Sequence, residues 1–145
     1  MQAVVKFGRQ DGNVRAEDVV EPTIGPDQVL LEVQAVGVCG SDIHLWHENQ
    51  SWQIKLPVVL GHEFGGYVAK VGERVTGFKV GERVACETAA EVCGQCVYCL
   101  SGNYNLCPHR KGYGNQIDGA MTRLVAARPQ ILHRIPPNVT FEQAA

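Results

Sequence analysis

Residues Cys86 to Cys107 read CETAAEVCGQCVYCLSGNYNLC, and within them Cys93, Cys96, Cys99 and Cys107 follow the spacing C-x2-C-x2-C-x7-C. Four thiols in fifteen residues, threaded with glycine and asparagine, form a metal cage in sequence. Zinc is the assigned ion, because it binds thiolates readily and prefers a tetrahedral set. A closed set of four cysteines leaves no position for substrate, so the site is structural. Binding such an ion also supplies folding free energy, on the order of 10 kcal/mol or more in small zinc modules. A loop with few large apolar residues can therefore be ordered.

Other readings compete. Two disulfides would suit a secreted chain, but the start MQAVVKFGRQDG has no apolar stretch of secretory length. The two C-x2-C steps and Cys107-Pro108 also resemble an iron–sulfur ferredoxin run. That run closes over three intervening residues, and here there are seven. Four merely buried thiols at this spacing is the weakest reading.

The chain has 145 residues and a formal net charge of −2. That length suffices for one domain with a proper core. Lysine and arginine are scattered, which argues against a nucleic-acid or membrane-surface partner. No run approaches membrane-spanning length. The cytoplasm is the default compartment, and six cysteines in a reducing compartment point to metal or catalysis.

The expected fold is mainly β. Ala3 to Phe7 reads as a strand, Arg9 to Asn13 as a turn around Asp11-Gly12, and Val14 to Val20 as a returning strand. Pro22, Gly25, Pro26 and Asp27 break the chain before a longer strand from Gln28 to about Val38. There Val29, Leu31, Val33 and Ala35 alternate with Glu32 and Gln34. Glycines then recur at 37, 40, 61, 65, 66, 72, 77 and 81, a density that fits short, bent strands closing on themselves rather than helices. The hexapeptide KVGERV occurs at Lys70–Val75 and Lys79–Val84; it reads as two similar glycine turns, each feeding a strand, with Glu-Arg solvated. Pro136-Pro137 ends the last strand. Thr140-Phe141-Glu142-Gln143 is a capping box that opens a helix. A helix cut off within about its first turn implies a longer parent protein.

Two further segments carry ligand-type residues. One is Cys39-Gly40-Ser41-Asp42-Ile43-His44 at the end of the long strand; the other is Gly61-His62-Glu63-Phe64-Gly65-Gly66. Taken alone, a cysteine is usually a small core residue and a histidine a satisfied polar one. Together the segments offer a thiolate, an imidazole and a carboxylate, the donor mix of a catalytic zinc with an open position. Asp42 is a candidate to hold the second ring nitrogen of His62. Ser41 could accept the proton of a bound alcohol, and the His44 imidazole could pass it on.

These segments, the stretch GHEFGGYVAKVGERVTGFKVGERV from Gly61, the four-cysteine lobe and the ending FEQAA together resemble the N-terminal catalytic domain of the zinc-dependent medium-chain alcohol dehydrogenases. The CGSDIHLWH segment is most similar to the polyol (sorbitol) and L-threonine dehydrogenase branch. The resemblance implies a GroES-like β-barrel with short helices over residues 1–145, incomplete at its C-terminal end, with a zinc lobe at 86–110. It also implies a separate Rossmann domain for NAD or NADP. Cys39, His62 and Glu63 then correspond to catalytic-zinc ligands, the glutamate being a direct ligand in some members and, in others, a transient ligand or a partner of the ligands. Asp42 corresponds to the partner of the zinc-bound histidine, Ser41 and His44 to the proton relay, and Cys93, Cys96, Cys99 and Cys107 to the structural zinc site. Gly40 stands where some members carry a basic residue for the coenzyme pyrophosphate. Trp46, His47 and Trp52 lie where the substrate cleft would begin, with core packing the competing role for both tryptophans.

Gly112-Tyr113-Gly114-Asn115-Gln116 begins like a dinucleotide fingerprint, but position 117 is Ile, so it reads as a glycine loop. No residue of the chain is assigned to the coenzyme. Cys86 reads as a buried strand residue, and His109 and His133 as surface or structural. The expected activity of the intact protein is hydride transfer between NAD(P) and a small secondary alcohol, polyol or L-threonine, in a homo-oligomer. The isolated chain is expected to bind zinc without turnover. The rival is a non-catalytic zinc-binding GroES-like structural or interaction module.

Overall fold

The computed structural model describes residues 1–145. The first hairpin forms around the Asp11-Gly12 turn as expected. β1 (Gln2–Lys6) pairs antiparallel with β2 (Val14–Asp18), from Gln2↔Asp18 to Lys6↔Val14. β4 (Val58–Val59) pairs with the other side of β1 to give a three-stranded sheet. The long strand is β3 (Val29–Gly37), with Val29 and Leu31 fully buried. It lies between β5 (Glu63–Val71) and β7 (Leu124–Ala127) in a five-stranded sheet of order β7-β3-β5-β6-β8, where β6 is Arg83–Cys86 and β8 is Leu132–Arg134. All its pairings are antiparallel. Register shifts interrupt the β3–β5 ladder between Leu30 and Leu31 and between Val33 and Ala35. Such bulges bend a strand and raise its twist, which curls a sheet towards closure.

Residues 119–123 join the two sheets. Met121 donates to Leu60 O and accepts from Val4 N, while Arg123 O accepts from Val33 N. The main core of Val29, Leu31, Phe64, Val68, Val84, Val125, Ile131 and their neighbours fills the inside of the five-stranded sheet. Burial of these side chains is the main stabilising term, about 1.5–3 kcal/mol for each large one.

Two local expectations change. The segment after β3, at the start of the glycine-rich region read as short bent strands, is a helix, α1 (Gly40–Trp46). Cys39 sits at its N-cap, and the Asp42 carboxylate accepts from Cys39 N at 2.9 Å. This satisfies one of the backbone donors that a helix start leaves free. The KVGERV copies also differ. The second turns at Gly81 into β6, but the first closes β5 at Val71 and feeds no strand. Arg74 is solvated and forks onto Asp27, whereas Arg83 donates to the carbonyls of Pro136 and Val139. Identical hexapeptides thus fold differently because their partners are distant in sequence.

The capping box holds: Thr140 Oγ1 accepts from Gln143 N, Gln143 Oε1 accepts from Thr140 N, and α3 (Phe141–Ala144) starts there. Its Phe141 packs edge-on to Tyr67 at 5.0 Å. No helix is long and apolar enough to cross a membrane.

One buried charge was not foreseen. Lys6 on β1 is fully buried, and its Nζ reaches Gln10 O at 2.8 Å, Trp46 O at 3.5 Å and Glu48 Oε2 at 3.3 Å. It thereby ties the C-terminal end of α1, where carbonyls lack helical partners, to the first sheet.

Candidate metal centres

The lobe is built from local turns. α2 (Val97–Leu100) begins at Cys96, and a 3-10 turn over Tyr104–Leu106 delivers Cys107. All six cysteines are free. The sulfurs of Cys93, Cys96, Cys99 and Cys107 converge, with Cys96–Cys99 at 3.5 Å, Cys93–Cys107 at 3.6 Å and Cys93–Cys99 at 3.9 Å. A tetrahedron with zinc–sulfur bonds of about 2.3 Å has edges of about 3.8 Å, so the cage fits zinc. The thiols diverge in acidity. Hydrogen bonds from the backbone of Gln95 and Cys96 lower Cys93 to about 6, whereas desolvation and the neighbouring Cys96 thiol push Cys99 up to about 12. Crowded thiolates repel one another, and a cation at their centre removes that conflict. Exposed Val97, Leu100 and Leu106 confirm that apolar burial does not hold the lobe.

The lobe is fastened to the barrel by Glu87. Its carboxylate accepts from Tyr104 Oη at 2.9 Å and meets His133 Nε2 at 2.6 Å. His133 is thus a structural surface residue, and His109 is simply exposed. Cys86 is buried on β6, its thiol pushed well above the usual range by burial, and it belongs to neither metal cluster.

The second cluster depends on strand register. β3 and β5 pair Gly37 with Glu63, so Cys39, two residues beyond, and His62, one residue before, arrive at the same end of the ladder. Cys39 Sγ, a ring nitrogen of His62 and a carboxylate oxygen of Glu63 all lie within 4.8 Å of one another. The backbone before His62 is clamped. Gly61 has φ +90°, and Gly119 packs so tightly over it that a β-carbon at 119 would lie 2.1 Å from Gly61 O. Only glycine fits either place.

His62 is buried, as is Asp42. His62 Nε2 lies 3.1 Å from Ser41 Oγ, and His62 Nδ1 faces Asp42 Oδ1 at 3.6 Å. Neither of the latter two atoms has a hydrogen-bond partner. Buried polar atoms are seldom left so. A proton on Nδ1, directed at Asp42, leaves the Nε2 lone pair for a metal, which is the arrangement common among metal-bound histidines. The donor set of thiolate, imidazole and carboxylate therefore fits a zinc ion with an open position.

A cleft of about 430 Å³ opens beside this cluster, with Ser41, His62, Glu63, Trp52, Thr88 and Arg110 among its walls. A somewhat larger cavity of about 500 Å³, near Val20, Thr23 and Asp118, holds no candidate ligand of either cluster. The chemistry belongs to the smaller cleft. Of the three aromatic residues expected at its entrance, Trp52 lines it and donates Nε1–H to Asn115 Oδ1 at 2.7 Å. Trp46 packs over Gly12 instead, and His47 meets Asp11 at 3.1 Å. His44 makes no hydrogen bond with Ser41; its Nδ1 is 2.8 Å from Asn49 Oδ1 and its ring is edge-on to Trp52. The sequence reading missed Thr88, Arg110, Asn115 and Gln116 as cleft residues. The glycine loop at 112–116 was a usable signal, since it turns two of them inward.

Comparison with known proteins agrees with this architecture. Residues 25–137 match the family profile of the alcohol dehydrogenase GroES-like domain. The chain is 48% identical to a sorbitol dehydrogenase of Halalkalibacterium halodurans over 100% of this chain and 42% of that protein. Among solved structures it superposes on galactitol-1-phosphate dehydrogenase from Escherichia coli with a TM-score of 0.87 at 31% identity, covering 99% of this chain and 40% of that one. An NAD-dependent alcohol dehydrogenase gives a TM-score of 0.89 at 32% identity, covering 99% and 42%. The chain therefore spans about two fifths of the length of the relatives it matches.

Proposed function

The chain belongs to the alcohol dehydrogenase GroES-like domain family, and from that premise we propose that it is the zinc-binding catalytic portion of an NAD(P)-linked dehydrogenase acting on a secondary alcohol or polyol. The observation that carries the proposal is the convergence of Cys39, His62 and Glu63, the last two of which line a cleft, in a cluster separate from the four-cysteine cage.

The roles follow from the atoms. Cys39 and His62 would hold the catalytic ion, with Glu63 in reach as a third donor. Bound zinc supplies Lewis acidity that eases loss of an alcohol proton near neutral pH, and NAD(P) supplies the hydride acceptor. Asp42, facing His62 Nδ1, fixes the ring and its tautomer. Ser41 Oγ stands beside His62 Nε2 on the cleft wall, placed to take the substrate hydroxyl proton. His44 is exposed and would release that proton to solvent, with Asn49 holding its ring. Trp52 shields one wall. A small polar substrate is the class this cleft suits. The relatives that act on sorbitol and galactitol 1-phosphate support a polyol.

Metal counting with activity tests the proposal. The full-length protein should carry two zinc ions per chain and oxidise a polyol with NAD or NADP. Cys39→Ser should remove one ion and abolish turnover while leaving the lobe ion in place. A single zinc insensitive to Cys39→Ser, with no turnover, would overturn it.

A further inference from the structure

The eight arginines of the chain sort into three kinds. Arg9, Arg15, Arg74, Arg123 and Arg134 each meet a carboxylate. Arg83 and Arg128 donate to backbone carbonyls. Arg110 alone does neither; its single partner is the neutral hydroxyl of Thr88, with Nη2 at 2.5 Å from Oγ1. It is also the one lysine or arginine on the cleft that holds Ser41, His62 and Glu63.

An arginine guanidinium has five donors in a planar fork that matches an oxyanion. Arg110 spends one of them on Thr88, which steers the fork and leaves the others unengaged. Glu63, a candidate metal ligand, is the one carboxylate on the cleft and makes no ion pair with Arg110; Thr88, Asn115, Gln116 and the Trp52 indole are polar but uncharged. A neutral polyol can be bound by such groups alone. A cation with no ion-pair partner adds something only if the ligand brings a negative group. The cleft, about 430 Å³, is large enough for a five- or six-carbon chain.

We propose that Arg110, oriented by Thr88, is an anion subsite of the substrate cleft, and that the preferred substrate is an alcohol bearing an oxyanion group, phosphate or carboxylate, away from the reacting hydroxyl. The inference rests on the dehydrogenase reading above and deepens it. Arg110 is a specificity-determining residue and takes no part in proton or hydride transfer.

The test is steady-state kinetics of the full-length protein with three probes: D-arabitol phosphate, D-arabitol and L-threonine. The first is expected to exceed the second in kcat/KM if the oxyanion is a phosphate, and L-threonine to exceed D-arabitol if it is a carboxylate. Arg110→Gln should lower kcat/KM for the preferred anionic probe by about 10- to 100-fold, the loss expected for one or two charge-assisted hydrogen bonds, mostly through KM. It should leave D-arabitol within about twofold. Arg110→Lys should fall between, since it keeps the charge and loses the fork. Calorimetric affinity for the anionic probe should fall in parallel, with the melting temperature unchanged. Equal loss on charged and neutral probes, or a wild-type preference for neutral D-arabitol, would overturn the subsite while leaving the dehydrogenase intact. No turnover of any probe, with two zinc ions bound, would instead overturn the underlying reading.

Discussion

In the lobe, all four donors come from one stretch of fifteen residues, and the turns between them are short enough to close the cage locally. In the cleft site, 24 positions separate Cys39 from Glu63, and the donors meet only because β3 and β5 pair in one register with α1 seated behind them. The lobe has little apolar burial and its sulfurs crowd one another. The cleft site is held by a barrel that exists without it. The comparison teaches that one metal would make structure and the other would borrow it.

The sharpest break of that contrast is removal of the lobe metal. Cys99→Ser, or chelation, should forfeit binding free energy on the order of 10 kcal/mol that is coupled to local folding. Hydrogen exchange should show loss of protection across 93–107, with β3 and β5 still protected. Cys39→Ser, by contrast, should cost one ion and little melting temperature.

Next in size is Lys6→Ala. It leaves Glu48 with the exposed Arg9 as its remaining cation and the end of α1 without its tie, at a cost of about 1–3 kcal/mol. Denaturant unfolding measures the loss. If the contrast is right, metal affinity at the cleft site falls with it and the lobe ion is retained.

Asp42→Asn preserves size but removes the carboxylate that faces His62 and accepts from Cys39 N. Metal affinity at the cleft site should drop about 10- to 100-fold, read by competition with a chromophoric chelator, with the lobe unaffected. An equal drop at both sites would dissolve the distinction.

The smallest effect belongs to Glu87→Gln, which weakens the contacts to Tyr104 and His133 that dock the lobe on the barrel. About 1 kcal/mol of stability should be lost in thermal unfolding while both ions remain.

These differences also decide what could be read in advance. β3 was legible because its alternation records which face is buried, and β1 and β2 because two short runs flank the turn at Asp11-Gly12. The capping box at Thr140 was legible because its partners lie three residues apart. The helix at Gly40–Trp46 was not, since Cys39 is an unusual N-cap and its acceptor, Asp42, had been read only as a partner for His62. The two KVGERV copies misled for a related reason: their fates depend on Asp27, Pro136 and Val139, none of them a sequence neighbour. Trp46 and Trp52 were indistinguishable in sequence, and only Trp52 faces the cleft.

The sequence by itself determined the four-cysteine cage, because metal-ligand spacing within one short loop is a local property. It also supplied every candidate donor of the second site. Only the tertiary structure decided that Cys39, His62 and Glu63 stand within 4.8 Å of one another, that His62 Nδ1 and Asp42 Oδ1 face each other without other partners, and that Arg110 lines the cleft shared by His62 and Glu63. The physical reason is separation along the chain. Contacts across 20 to 70 residues are set by strand register and glycine-permitted close approach, and neither is written in the residues that finally touch.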